Sequence, residues 1–207
     1  MLKVFTSYTP GAGKSYAMME SAVMESESGK KVIVGFINKK HRDASELPLT
    51  ENENMHMAKI RTRSDIEAII SEKPDIVVLD ELGMRVGEKT FIYNIAEMFI
   101  KNNIEVLTSA NLKRFDEVNH LFKNITGVGA RTTIPNRFIK GADEIIFIDR
   151  EPELMKKDFE EGKLFGEKYM KAKIMRKNFR QNTLNAYRDV SIEYLKKYNN
   201  VRMIRRD

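Results

Sequence analysis

A chain of 207 residues is long enough for one domain with a sizeable core, or for one domain plus a small appendage. It has no cysteine, which excludes disulfides, thiol nucleophiles and cysteine-based metal sites. Its formal charge of +6 is unevenly placed: residues 150–207 carry 16 Lys and Arg against 9 Asp and Glu, and the remainder 20 against 21.

The first apolar run, Leu2-Lys3-Val4-Phe5, predicts a strand over about residues 2–7. A glycine-containing turn follows, and then a helix that runs to about Ser28 with Gly29 as its stop. Lys31–Ile37 reads as the second strand. Residues 38–62 are polar and weakly patterned and read as a loop or hairpin. Ser64-Asp65-Ile66-Glu67 has the spacing of a capping box and opens a short helix that ends before Pro74.

Ile76–Leu79 is an unbroken apolar run, as expected of a parallel strand covered on both faces. A helix over about Lys89–Asn102, a strand at Ile104–Ser109, a helix over about Lys113–Asn124 and a strand at Glu144–Ile148 complete the alternation. This order predicts an α/β fold: a P-loop NTPase-like parallel sheet of about five strands with helices on both faces. After Arg150 the composition is helical and no further strand is expected. The expected division is residues 1–150 as a P-loop nucleotide-binding domain and 151–207 as a basic helical extension packed on it. The basic residues of that extension are interspersed with Glu, which suits a solvated helical surface. With no aromatic–basic platform, nucleic acid is not an expected partner. No apolar run reaches membrane-spanning length and no leader pattern opens the chain, so the expected location is cytoplasmic.

Residues 7–15 read Ser-Tyr-Thr-Pro-Gly-Ala-Gly-Lys-Ser between a strand and a helix. The pattern is that of a phosphate-binding loop (Walker A). Gly11 and Gly13 let backbone N–H groups converge on an anion, and the helix N-terminus adds positive potential. Lys14 suits the β- and γ-phosphates, and the Ser15 hydroxyl suits Mg²⁺. Tyr8 occupies the position where the general pattern has its first glycine; it either tightens the turn or brings its ring near the ligand. A plain strand–helix turn is the competing reading.

Asp80 and Glu81 end an apolar strand, where ligands bind in parallel sheets. Asp80 is expected to hold Mg²⁺, and Glu81 to polarise an attacking water. An adjacent Asp–Glu pair also predicts that the Ile104–Ser109 strand lies beside the first. Thr108, Ser109 and Asn111 then become candidate phosphate sensors, or ordinary strand-end hydrogen-bonding residues. Arg85, Arg131 and Arg137 are candidate charge-neutralising arginines. His41, His56 and His120 have no spacing that suggests a metal site.

These residues resemble a known family over nearly the whole chain. Pro10-Gly11-Ala12-Gly13-Lys14-Ser15-Tyr16, Val34-Gly35-Phe36, Asp80-Glu81-Leu82, Thr133–Arg137 and Leu184–Arg188 are similar, in the same order, to the N-terminal cytoplasmic sensor domain of the osmosensitive potassium-sensor histidine kinases of the KdpD type. The resemblance implies an ATP-binding α/β domain with a helical end that regulates signalling in potassium homeostasis. It implies Gly13, Lys14 and Ser15 at the phosphates and Asp80 at the metal; the candidate nucleotide-binding set is Pro10 to Tyr16 with Asn111. Two stretches depart from the family pattern, Gly83–Glu88 and Asn38-Lys39-Lys40-His41, and both flank the expected ligand mouth. The chain has no histidine-kinase catalytic region, so it reads as a stand-alone or an excised domain.

The expectation is therefore a regulatory ATP- and Mg²⁺-binding module of a potassium-responsive two-component system, read by a protein partner. A slow ATPase or phosphotransferase, and a module binding a cyclic dinucleotide or another ligand, remain the alternatives.

Overall fold

The computed structural model describes residues 1–38, 47–48, 52–87, 90–165 and 171–206. The chain begins with strand β1 (Leu2–Ser7), helix α1 (Lys14–Glu27), β2 (Val32–Phe36), β3 (Met55–Met57) and α2 (Arg63–Ser71). It continues through β4 (Ile76–Leu79), β5 (Arg85–Val86), β6 (Thr90–Phe91), α3 (Ile92–Lys101) and β7 (Glu105–Asn111). A 3₁₀ turn at Leu112–Arg114 leads into α4 (Asp116–Thr126), α5 (Arg137–Lys140), β8 (Glu144–Arg150) and α6 (Pro152–Glu160). Helices α7 (Lys173–Asn178) and α8 (Gln181–Leu195) precede the final strand β9 (Val201–Arg206).

The main sheet has the order β3-β2-β4-β7-β1-β8-β9, and every pairing in it is parallel. This is a P-loop NTPase-like sheet of seven strands. β7 lies between β1 and β4, as the adjacent Asp80-Glu81 pair predicts.

Apolar residues alternate between two faces because successive strand side chains point opposite ways. Val4, Val77, Leu79, Ile145 and Phe147 face a large cluster that includes residues of α2, α3, α4, α6 and α8. Phe5, Ile76, Val78, Ile146 and Ile148 face a smaller cluster with Ala17, Met18, Met19 and Ala22 of α1.

The structure corrects the sequence reading at several places. Two strands of the main sheet were not expected. Met55–Met57 stands in a polar stretch and is an edge strand with only its first residue buried. Val201–Arg206 carries three arginines, so its sequence lacks an apolar run; pairing with β8 alone makes it a strand. Side chains on an edge strand can stay hydrated, which removes the signal on which sequence reading depends. The capping box is built on Thr62, not Ser64: the Thr62 hydroxyl accepts from the Asp65 amide, and the Asp65 carboxylate accepts from the Thr62 amide. The helix expected from Lys89 starts at Ile92, behind the small β5–β6 antiparallel pair. Much of the segment after β2, including His41, lies outside the described residues.

The last helices are fastened to the sheet by a buried ion pair. Arg188 of α8 donates two hydrogen bonds of 2.7 Å to Asp149 at the end of β8, and Asp149 is 2% exposed. The same guanidinium reaches Glu151 at 2.9 and 3.0 Å.

Candidate functional site

The glycine loop joins β1 to α1, so its shape decides what the mouth of the sheet can hold. Gly11 and Gly13 have φ of +87° and +95°, conformations that L side chains rarely adopt. Gly13 is the residue preceding α1, and α1 begins with Lys14 and Ser15, both buried. Tyr8 needs no such freedom, since it is not among the residues with positive φ. Its ring is fully buried in the large core cluster, and its hydroxyl donates to the Arg150 carbonyl at 2.6 Å. Burial, reinforced by the Asp149 carboxylate, pushes the phenol pKa up. Tyr8 thus fastens the loop to the end of β8, and its ring does not line the pocket.

β4 delivers Asp80 to the same place. Asp80 is 1% exposed, and its Oδ1 accepts hydrogen bonds from Ser15 at 2.7 Å and Ser109 at 2.5 Å. Its Oδ2 accepts from the Asn38 amide at 3.2 Å. A buried carboxylate held by neutral donors retains attraction for a cation. The Ser15 Oγ–Asp80 Oδ1 separation also suits magnesium, since two oxygens held at about 2.1 Å on neighbouring octahedral positions stand about 3 Å apart. Ser15 and Asp80 therefore fit a metal ion that arrives with phosphate oxygens. Among the described residues, no group of three His, Asp or Glu side chains is placed to hold a metal by itself.

Glu81 follows with φ +51°, in the left-handed region. Its amide donates to Ser109 Oγ at 3.1 Å, and the Leu82 amide donates to the Ser109 carbonyl at 2.8 Å. Two hydrogen bonds to one residue hold a backbone shape that costs on the order of 1–3 kcal/mol when adopted by a non-glycine residue.

A pocket of about 230 Å³ is lined by Pro10, Gly11, Gly13, Lys14, Ser15 and Tyr16 of the loop and helix, and by Asp80 and Glu81 of the acidic strand end. Asn38, Leu47, Lys163, Leu164 and Phe165 complete it. Lys14 Nζ lies 3.2 Å from Ser7 Oγ, to which it donates. Of the other candidates, Ala12 of the loop is buried. Asn111 caps the 3₁₀ turn through its Oδ1, 3.4 Å from the Lys113 amide. Thr108 donates to the Leu79 carbonyl at 2.6 Å within the sheet. Arg85 stacks on Phe91, Arg137 pairs with Glu97, and Arg131 is exposed; none lines the pocket. His56 faces Glu72 at 3.4 Å and His120 is exposed.

Several residues near the mouth carry no sequence signal. Lys163–Phe165 follow α6 without a motif, and an aromatic cluster holds them: Phe165 packs on Phe159 and Phe179, whose rings stack at 4.4 Å. Leu164 stands where a Cβ on Gly11 would be 3.3 Å away. Arg206, at the end of β9, lies 5.1 Å over the Tyr16 ring and pairs with Glu20. Arg114 lies 4.0 Å from the Glu81 carboxylate and donates to the Gly83 carbonyl at 3.4 Å.

Lys113 is half-buried, and burial together with the Arg114 and Lys14 charges pushes its pKa down to about 8. The folded protein therefore bears the cost of charging it at pH 7. As pH rises from 8 towards the ordinary lysine value of 10.5, the unfolded chain still binds the proton that the folded one has released, and stability rises. Lys113→Met is expected to be more stable than the parent at pH 7 by about 1–3 kcal/mol, a gain that vanishes near pH 10.5. Urea unfolding of both proteins across that range measures the difference.

Comparison with known proteins identifies the family. The family described as "KdpD: Osmosensitive K+ channel His kinase sensor domain" matches residues 1–198. The chain is similar to a Sensor protein KdpD of Clostridium acetobutylicum, with 29% identity over 201 residues, 92% of this chain and 22% of the relative. It is similar to a Putative sensor protein KdpD of Synechocystis, at 25% identity over 92% of this chain and 54% of the relative. It is also similar to the Sensor protein KdpD of Escherichia coli, at 25% identity over 79% of this chain and 19% of the relative. The chain thus spans between a fifth and about half of these relatives. No helix among the described residues is long and apolar enough to cross a membrane. By the match over residues 1–198, this chain belongs to the KdpD family of osmosensitive K⁺ channel histidine kinase sensor domains.

Proposed function

We propose that the chain is a cytoplasmic nucleotide-binding regulatory module of a KdpD-like potassium-sensing two-component system, and that it takes ATP with Mg²⁺. The observation that carries this reading is the 2.7 Å contact between the Ser15 hydroxyl and the buried Asp80 carboxylate, next to Lys14 and the glycine loop. Backbone N–H groups of the loop and the N-terminus of α1 wrap the phosphates. Lys14 exchanges the Ser7 hydroxyl for a phosphate oxygen, and Ser15 and Asp80 hold the metal. When bound, the metal neutralises phosphate charge and fixes the orientation of the chain.

Occupancy reaches a protein partner through the segments that line the pocket. The Asn38 amide bonds to Asp80 Oδ2, so a change at that carboxylate alters the start of the segment after β2. Lys163–Phe165 lie across the loop and connect it to the last helices. A second reading, slow ATP hydrolysis, is favoured by Glu81, which lines the pocket beside the metal-binding pair.

Thermal unfolding with a ligand panel tests these readings. At about 100 times the dissociation constant a ligand adds about 2.7 kcal/mol, which raises the midpoint by on the order of 5–10 °C in a chain of this length. ATP with Mg²⁺ is expected to give that rise. A rise with a cyclic dinucleotide and none with ATP would replace the ligand. Phosphate release that is lost in Glu81→Gln would establish hydrolysis.

A further inference from the structure

We propose that the Tyr16 ring stacks on the base of the nucleotide, with Arg206 of the last strand as the residue that positions the ring; this rests on the nucleotide reading above and names what the site adds to phosphate binding.

The direction of the ligand follows from strand order, which runs β4-β7-β1-β8-β9 around the loop strand β1. Asp80 and Glu81 come from the end of β4, on one side of β1, and with Ser15 they take the metal-bound end of the phosphate chain. The nucleoside end therefore leaves towards the other side, that of β8 and β9. The pocket is apolar there: Tyr16, which meets β9 through Arg206, and Leu164, which follows β8 and α6, both line it.

Tyr16 is placed for stacking. It is the third residue of α1, and side chains on a helix lean towards its N-terminus, here towards the glycine loop. It is 37% exposed, whereas Ala17, Met18 and Met19 after it are buried, so the ring is not spent on the core. Arg206 lies 5.1 Å from the ring centroid and pairs with Glu20, one turn further along α1. Its stem passes 3.4 Å from where a Cβ on Gly13 would stand. One side chain of β9 thus follows a single stripe of α1, past Gly13, Tyr16 and Glu20.

A guanidinium on one face of an aromatic ring leaves the opposite face for a second flat π system. An aromatic ring already held in place also loses little rotamer freedom when the ligand arrives. The phosphates carry no such surface, so the contribution of Tyr16 belongs to the base alone.

Calorimetric titration with Mg²⁺-ATP and with Mg²⁺ and inorganic triphosphate separates the two ends of the ligand. Tyr16→Leu is expected to weaken ATP by about 5- to 150-fold, the range for losing one base–aromatic stack, and to leave inorganic triphosphate unchanged within about twofold. Tyr16→Phe keeps ATP binding within about threefold. Arg206→Met weakens ATP by about 2- to 5-fold and inorganic triphosphate not at all, a difference that general damage to the loop would not produce. The chain has no tryptophan, so Tyr16→Trp supplies a single indole reporter. Saturating ATP should quench its emission, and inorganic triphosphate should not. Tyr16→Leu that weakens both ligands alike or neither, or an indole emission that ATP leaves unmoved, would overturn the inference while nucleotide binding stands. Binding of inorganic triphosphate without binding of ATP would overturn the nucleotide reading and the inference with it, as would no binding of either.

Discussion

Replacing Arg188 by methionine is expected to destabilise the protein by about 3–5 kcal/mol. Methionine keeps much of the apolar stem, so the loss is chiefly electrostatic. The guanidinium gives two 2.7 Å hydrogen bonds to Asp149, which is 2% exposed, and two more to Glu151. Removing it leaves a buried carboxylate without its cation, and that orphaned charge dominates the cost. The midpoint of thermal unfolding should fall by about 6–20 °C, using about 2–4 °C per kcal/mol for a chain of this size. The double variant Asp149→Leu, Arg188→Met should recover much of the loss, because an apolar pair of similar volume removes both charges. A single variant that melts with the parent would show that α8 is not fastened to β8 by this pair.

The second large effect concerns Tyr8. The general phosphate-loop pattern has glycine at this position, so Tyr8→Gly makes the sequence more conventional. The expected result is nevertheless a loss of about 3–5 kcal/mol, the range for deleting a buried aromatic ring. The ring is fully buried, the hydroxyl satisfies the Arg150 carbonyl at 2.6 Å, and the backbone has no positive φ that glycine would relieve. Tyr8→Phe isolates the hydrogen bond and should cost about 1 kcal/mol. Chemical denaturation of the three proteins separates the ring from the hydroxyl; an unchanged Tyr8→Gly would mean that the loop does not depend on β8.

Much of the fold was legible because its centre obeys simple periodicities. Ile76–Leu79 is apolar without a break since both faces of β4 are covered. Gly11, Gly13, Lys14 and Ser15 announce their turn because the turn needs those residue types. Asp80 and Glu81 follow a strand, and the parallel sheet brings them opposite the loop.

What was not legible depends on contacts distant in sequence. β9 reads Val-Arg-Met-Ile-Arg-Arg and becomes a strand only because the β8 edge is present to receive it. Lys163–Phe165 reach the pocket through an aromatic cluster whose members lie on different elements. Arg85, Arg131 and Arg137 are no less basic than Arg114, and only the turn after β7 sets Arg114 apart, beside Glu81. Composition carries the layers of this protein; close approach between separate segments carries the edges of its site.

The central claim is that the glycine loop and Asp80 form one site for a metal-bound nucleotide. Calorimetric titration of Mg²⁺-ATP into the parent and Lys14→Ala tests it most directly. The account predicts one saturable site in the parent that requires Mg²⁺, and affinity reduced by at least about 100-fold in Lys14→Ala, the loss of a charge-assisted contact to phosphate. Equal binding by the two proteins, or no binding by a folded parent, would contradict it.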